Sequence, residues 1–368
     1  MKKFAKAAIV LAAAGALALT GCGGGRTDAG ASGSASGAAK GFDANAVIGV
    51  ALPQKTSENW VLAEGLFNDG LKQAGFQPSV QFANGGVTEQ QNQISAMIEK
   101  GAKVLVVGAI DGSQLGTQLA AAKQAGITVI AYDRMLTNTP DVDYYVSFDN
   151  YKVGQLQGQS LLDGLKARKG DKSKWNIELM AGSPDDNNAK VFFDGAMSVL
   201  QPKIDDGTLT VLSKQTSFEQ VVTQGWKAEN AQKRFDTILS GFYQKADLDG
   251  ILSPNDTLAR AAMTSVKDAG KDLPVVTGQD SEVESVKSIM AGQQYSTIYK
   301  DARAEANQAI EMVKALQQGG TPEVNDTKSY NNGVKVVPSY LIPPVIVTKD
   351  NAAEVYANDK TLGPLTKG

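Results

Sequence analysis

The 368-residue chain carries 36 Lys and Arg against 39 Asp and Glu, with 42% hydrophobic residues, one cysteine and no histidine. That length exceeds what one ordinary core serves and implies about two lobes. Without histidine, Ser-His-Asp and Cys-His hydrolysis and histidine-ligated zinc are excluded, and a net charge of −3 offers no basic footprint for nucleic acid.

The chain opens with Lys2, Lys3 and Lys6 ahead of an apolar, Ala- and Leu-rich run over 7–19. Too short to span a bilayer, the run reads as the apolar stretch of a secretory leader. It ends in Leu19-Thr20-Gly21-Cys22, at the sole cysteine, which has no disulfide partner. This junction resembles the lipobox of bacterial lipoproteins. The resemblance implies a signal peptide over 1–21, cleavage before Cys22 and a lipid on its sulfur; the alternative is a chance cysteine near an ordinary cleavage site. Loss of 1–21 removes three lysines and no acid, moving the net charge from −3 to −6. Residues 22–45, dominated by Gly, Ser and Ala, read as a flexible tether that holds a domain near the membrane, with the lipid as its only membrane contact. An ordinary disordered terminus has the same composition, and Cys22 is what separates the two readings.

Short apolar runs then alternate with amphipathic stretches. Strands are predicted at 47–52, 104–107 and 127–132, with helices at 59–74, 88–100 and 113–125. A second series follows Asn150: a helix to about 167, a strand at 176–180, a helix at 188–200 and a strand near 209–212. It continues with a helix at 229–239, a strand at 250–253, a helix at 258–269 and a strand at 274–277. A last helix at 304–316 precedes a Pro-punctuated tail. Strand, helix, strand at this spacing predicts an α/β protein of two doubly wound parallel-sheet lobes.

Open parallel sheets bind ligands beyond the carboxyl ends of their strands. The residues there are Asp133-Arg134, Asp185-Asp186-Asn187-Asn188, Asn255-Asp256, Gln279-Asp280 and Lys300 after 295–299. One Asx after a strand is usually a turn former or helix cap; five polar sets at the same end of two sheets call for more. Together, carboxylates, amides and an arginine fork can satisfy the adjacent hydroxyls of a polyol. No Gly-rich phosphate loop is present. Trp60 and Trp226 are placed to offer one flat ring from each side of a cleft, while Trp175 is assigned to the core.

Over 47–349 the chain resembles the sugar-binding receptors of bacterial ABC importers, in the xylose-binding and multiple-monosaccharide-binding branch of the periplasmic binding proteins. The carrying segments are Val129-Ile130-Ala131-Tyr132-Asp133-Arg134, Gly182-Ser183-Pro184-Asp185-Asp186-Asn187-Asn188-Ala189, Ser253-Pro254-Asn255-Asp256 and Gly278-Gln279-Asp280, with Glu323-Val324-Asn325-Asp326-Thr327 and 334–341 in the tail. The resemblance implies the type I periplasmic binding protein fold, its lobes joined by a three-strand hinge near 148–152, 300–303 and 330–334. The lobes would be 46–149 plus 301–330 and 150–300 plus 331–368. It further implies that Asp133, Arg134, Asp186, Asn188, Asn255, Asp280 and Lys300 hydrogen-bond a sugar and that Trp60 and Trp226 stack on it. The xylose-type pattern has arginine before the first-lobe aromatic. Asn59 stands there instead, which leaves space and removes a charge, opening the site to a hexose.

The expected function is capture of an aldopentose or aldohexose such as xylose, glucose or galactose by hinge closure, for delivery to an ABC permease. The protein is expected to be an exported monomer, lipid-anchored to the cell membrane on its extracellular or periplasmic face, with no nucleic-acid partner, no cofactor and no metal; Asp247-Leu248-Asp249-Gly250 is too short for a calcium loop. Two alternatives stand beside it. A sugar-loaded receptor could dock on a membrane sensor kinase. Paired Asp residues could also make a glycosidase, against which Arg134 and Lys300 are expected to keep Asp186 and Asp280 ionised.

Overall fold

The computed structural model describes residues 41–55, 57–170 and 172–367. The expected leader, Cys22 and most of the tether lie outside the described residues. The described end of the tether is packed rather than loose: Phe42 N donates to Gln317 O at 3.2 Å, and its ring sits 6.2 Å from that of Phe76. An aromatic ring that finds an apolar seat leaves water, so the folded body already includes Phe42, before the expected 46.

The first lobe runs β1 (Val47–Leu52), α1 (Glu58–Gln73), β2 (Gln77–Phe82), α2 (Val87–Glu99), β3 (Val104–Val107), α3 (Gly116–Gln124), β4 (Thr128–Tyr132) and β5 (Tyr144–Phe148). The second follows with α4 (Asn150–Lys169), β6 (Trp175–Leu179), α5 (Asn187–Asp205), β7 (Leu209–Thr210), α6 (Phe218–Val221), α7 (Ala228–Phe242), β8 (Gly250–Leu252), α8 (Asp256–Asp268), β9 (Val275–Val276), α9 (Val283–Met290) and β10 (Ser296–Tyr299). Then come α10 (Ala302–Gln317), β11 (Ser339–Ile342), β12 (Val345–Thr348) and α11 (Ala352–Val355).

The first sheet is six-stranded in the order β11-β5-β4-β3-β1-β2, parallel throughout. Its central strands β1 and β3 are almost wholly buried, as continuous runs of Val, Ile and Leu demand when helices cover both faces. Edge strand β2 is half-exposed and carries Pro78, which only an edge tolerates; its polar alternation hid it from the sequence reading. Phe67 and Leu71 of α1 are fully buried against Ala306, Ile310 and Val313 of α10. Each large side chain so removed from water contributes about 1.5–3 kcal/mol. The second sheet runs β7-β6-β8-β9, also parallel, beside an antiparallel β10-β12 pair.

The chain crosses between lobes at Phe148–Asn150 and at Tyr299–Ala302, where the resemblance placed two of the three connections. The third differs. Because β11 pairs with β5, the chain stays with the first lobe through Ile342 and crosses only at Pro343 and Pro344, not near 330–334. Residues 331–342 therefore belong to the first sheet and not, as expected, to the second lobe.

Candidate functional site

The ten residues expected at the sugar site line one cavity between the lobes, with about 610 Å³ of empty space that includes some open to solvent: Asn59, Trp60, Asp133, Arg134, Asp186, Asn188, Trp226, Asn255, Asp280 and Lys300. Asp185 and Asp256 do not. Asp185 accepts from Gln224 Nε2 at 3.3 Å on the surface. Asp256 lies fully buried beneath the site, accepting from Gln294 Nε2 at 2.8 Å, Thr297 Oγ1 at 2.9 Å and Glu282 N at 3.0 Å, so it holds the 278–282 loop instead of facing the cleft.

On the first-lobe wall, the first turn of α1 presents Trp60, set edge-on to Tyr132 with centroids 6.2 Å apart. The guanidinium of Arg134 lies 5.4 Å from the centre of the Trp60 ring, and its Nη1 donates to Ala109 O at 3.1 Å. Asp133 ends β4 in the left-handed region, at φ 56°, a conformation Asp tolerates better than most residues. Its carbonyl there accepts from Tyr145 Oη at 2.7 Å, Ser147 Oγ at 2.9 Å and, across the cleft, Asn188 Nδ2 at 2.8 Å.

On the second-lobe wall, Asp186 caps α5 through its Oδ1, 2.9 Å from Asn188 N, while its Oδ2 accepts from Trp226 Nε1 at 3.1 Å. Asn255 caps α8, accepting from Leu258 N at 2.9 Å. Capping and cavity lining are thus combined in the same residues. Each tryptophan also lies against a strand-end glycine. A Cβ on Gly182 would fall 2.1 Å from the Trp226 ring, and one on Gly108 3.1 Å from that of Trp60.

Two ion pairs join the lobes. Arg134 Nε stands 3.0 Å from Asp186 Oδ2 but out of line for a hydrogen bond, which leaves that donor uncommitted. Lys300, at the hinge, lies 3.4 Å from Asp133 Oδ2 and 3.7 Å from Asp280 Oδ1, with Phe148 and Phe192 on its flanks. Burial alone would lower the lysine, but the charges of Asp133, Asp280 and Glu305 outweigh it and raise its pKa. At the rim Glu58 Oε2 accepts from Val283 N at 3.0 Å.

The cations do not keep the acids in their ordinary range as expected. Burial pushes Asp280 up to about 6, with Lys300 offsetting only part, and it also raises Asp186 against the pull of Arg134. Desolvation in a closed cleft exceeds the attraction of one neighbouring cation.

Sequence reasoning missed Tyr132, Phe148, Phe192 and Glu305, which also line the cavity, as does Gln279, named at its strand end but given no contact with the sugar. Phe192 was within reach: it lies four residues past Asn188 on α5 and therefore shares its face. Glu305, inside a helix and not at a strand end, gave no such signal.

A periplasmic binding protein domain matches residues 48–321. The chain is 50% identical over 313 residues to the multiple sugar-binding periplasmic receptor ChvE of Rhizobium radiobacter, covering 84% of this chain and 88% of that one. It is 37% identical to the D-xylose-binding periplasmic protein of Escherichia coli K12, covering 85% and 89%. An ABC transporter solute-binding protein from Clostridium phytofermentans with bound β-D-glucose superimposes at a TM-score of 0.83, with 40% identity, covering 87% of this chain and 100% of that one. By sheet order, cleft and sequence alike, the chain belongs to the periplasmic binding protein family.

Proposed function

We propose that this protein is an extracytoplasmic receptor that captures one free monosaccharide, an aldopentose or aldohexose such as glucose, xylose or galactose, and hands it to an ABC importer. The observation that carries the reading is the composition of the cavity wall: a tryptophan from each lobe, with carboxylates, amides, Arg134 and Lys300 converging between them. The two rings suit the apolar faces of a pyranose and the polar set its hydroxyl rim. Such a wall rejects analogues lacking a hydroxyl, because its own buried groups would be left unpaired.

Arg134 and Asp186 come from opposite lobes, so closure assembles the site around the ligand and presents a closed surface to the permease. Relatives named for glucose, xylose and multiple sugars support the ligand class, and Asn59 supports room for a hexose. The leader and Cys22 support export and a lipid anchor. Isothermal titration with glucose, xylose, galactose and arabinose should give saturable one-to-one binding for at least one sugar; no heat with any of them overturns the reading.

No covalent step is required, and we take the protein to be a binder, not an enzyme. The raised pKa values of Asp186 and Asp280 are the observations that favour a glycosidase. Turnover of aryl glycosides, abolished in Asp186→Asn, would select that reading.

A further inference from the structure

Glu305 lies in the first turn of α10, only 4% exposed, and lines the cavity. Its Oε1 is enclosed yet has no hydrogen-bond partner among the described residues. Core packing gives no reason for a carboxyl here. Further along the same helix the buried positions are Ala306, Ala309, Ile310, Met312 and Val313, an apolar stripe that any small aliphatic residue at 305 would extend. Glutamate is almost never fully buried without a partner, and an orphaned buried oxygen in a native fold calls for an explanation.

The groups facing it are Tyr132 on β4, Asp133 at the end of that strand, Lys300 after β10 and Asp280 in the loop after β9. Burial, then the negative charges of Asp133 and Asp280, push its carboxyl well above the usual range against the pull of Lys300 and of a hydrogen bond with Tyr132. A carboxyl that keeps its proton can donate as well as accept, whereas an ionised carboxylate only accepts.

We infer that Glu305 is a ligand-facing, specificity-setting side chain whose unpartnered carboxyl oxygen engages one hydroxyl of the captured sugar. The inference rests on the sugar-binding reading and adds to it a contact from the first-lobe helix α10.

The test is a set of affinities at pH 7, measured by titration calorimetry for wild type, Glu305→Gln and Glu305→Ala against glucose and its 2-, 3-, 4- and 6-deoxy analogues. Glu305→Gln, an isostere of the protonated acid, should stay within about threefold of wild type, and Glu305→Ala should lose roughly tenfold to a hundredfold. For one deoxy sugar that loss should vanish, since both partners of the contact are then gone. A residue acting only on structure would lower the melting temperature and weaken every analogue by the same factor, and that pattern overturns the inference. So does wild-type affinity in both variants. If wild type binds none of these sugars, nor xylose, galactose or arabinose, the sugar reading has failed and this inference falls with it, a result distinct from a sugar-binding wild type indifferent to Glu305.

Discussion

The two lobes build their halves of the cavity differently. The first lobe offers groups that its own structure already holds: Trp60 against Tyr132, and Arg134 tied to the Ala109 carbonyl. The second offers two carboxylates whose charged forms burial disfavours, Asp186 and Asp280, in backbone that includes Trp226 at φ 55° and Asp280 at φ 94°. The cation nearest Asp186 belongs to the opposite lobe. Opening the cleft would therefore separate Arg134 from Asp186, while the first-lobe wall would keep its internal contacts. The difference teaches that lobe closure and the ionisation of the second-lobe acids are coupled.

The sharpest way to break this asymmetry is Arg134→Ala, which leaves Asp186 without its cross-cleft cation. Sugar affinity should fall by on the order of 2–5 kcal/mol in calorimetry, with the far-UV circular dichroism unchanged. Next in size is a paired glycine comparison. Gly182→Ala would drive a Cβ into the Trp226 ring and should cost about 2–3 kcal/mol of affinity, as overpacking does. Gly108→Ala, with its looser approach to Trp60, should cost less than about 1 kcal/mol.

The acids allow a pH test of the second lobe. Because Asp280 titrates near 6 when folded, above the ordinary aspartate range, its contribution to stability is present at low pH and lost as pH rises from about 4 to about 6. With the cleft closed, the loss across that window through this group is on the order of 2–3 kcal/mol. Asp280→Asn should flatten the loss and raise the melting temperature at pH 7 while weakening sugar binding. The smallest effect is expected for Trp226→Phe, which keeps a stacking face but removes the 3.1 Å bond to Asp186, at about 1 kcal/mol of affinity.

The ten cavity-lining residues were legible because nearly all follow parallel strands or start the helix after one, where the topology itself gathers side chains. Asp186 and Asn255 carried a helix-capping signal that was equally true, so capping and site roles could not be separated by position. The last crossing was not legible. Pro338, Pro343 and Pro344 made 331–348 look like irregular tail, yet β11 needs only an edge of the first sheet and β12 only one antiparallel partner. Nor were the raised acids. Counting Arg134 and Lys300 against the carboxylates gives charge balance, and what decides ionisation is burial, which appears only once the lobes are folded against each other.

The central claim is that a monosaccharide fills the cavity between Trp60 and Trp226. Titration of the purified domain with glucose, xylose, galactose and arabinose while following tryptophan fluorescence tests it most directly. A saturable change with at least one of these sugars, lost in Arg134→Ala, is the predicted result; a signal indifferent to every sugar would contradict the account.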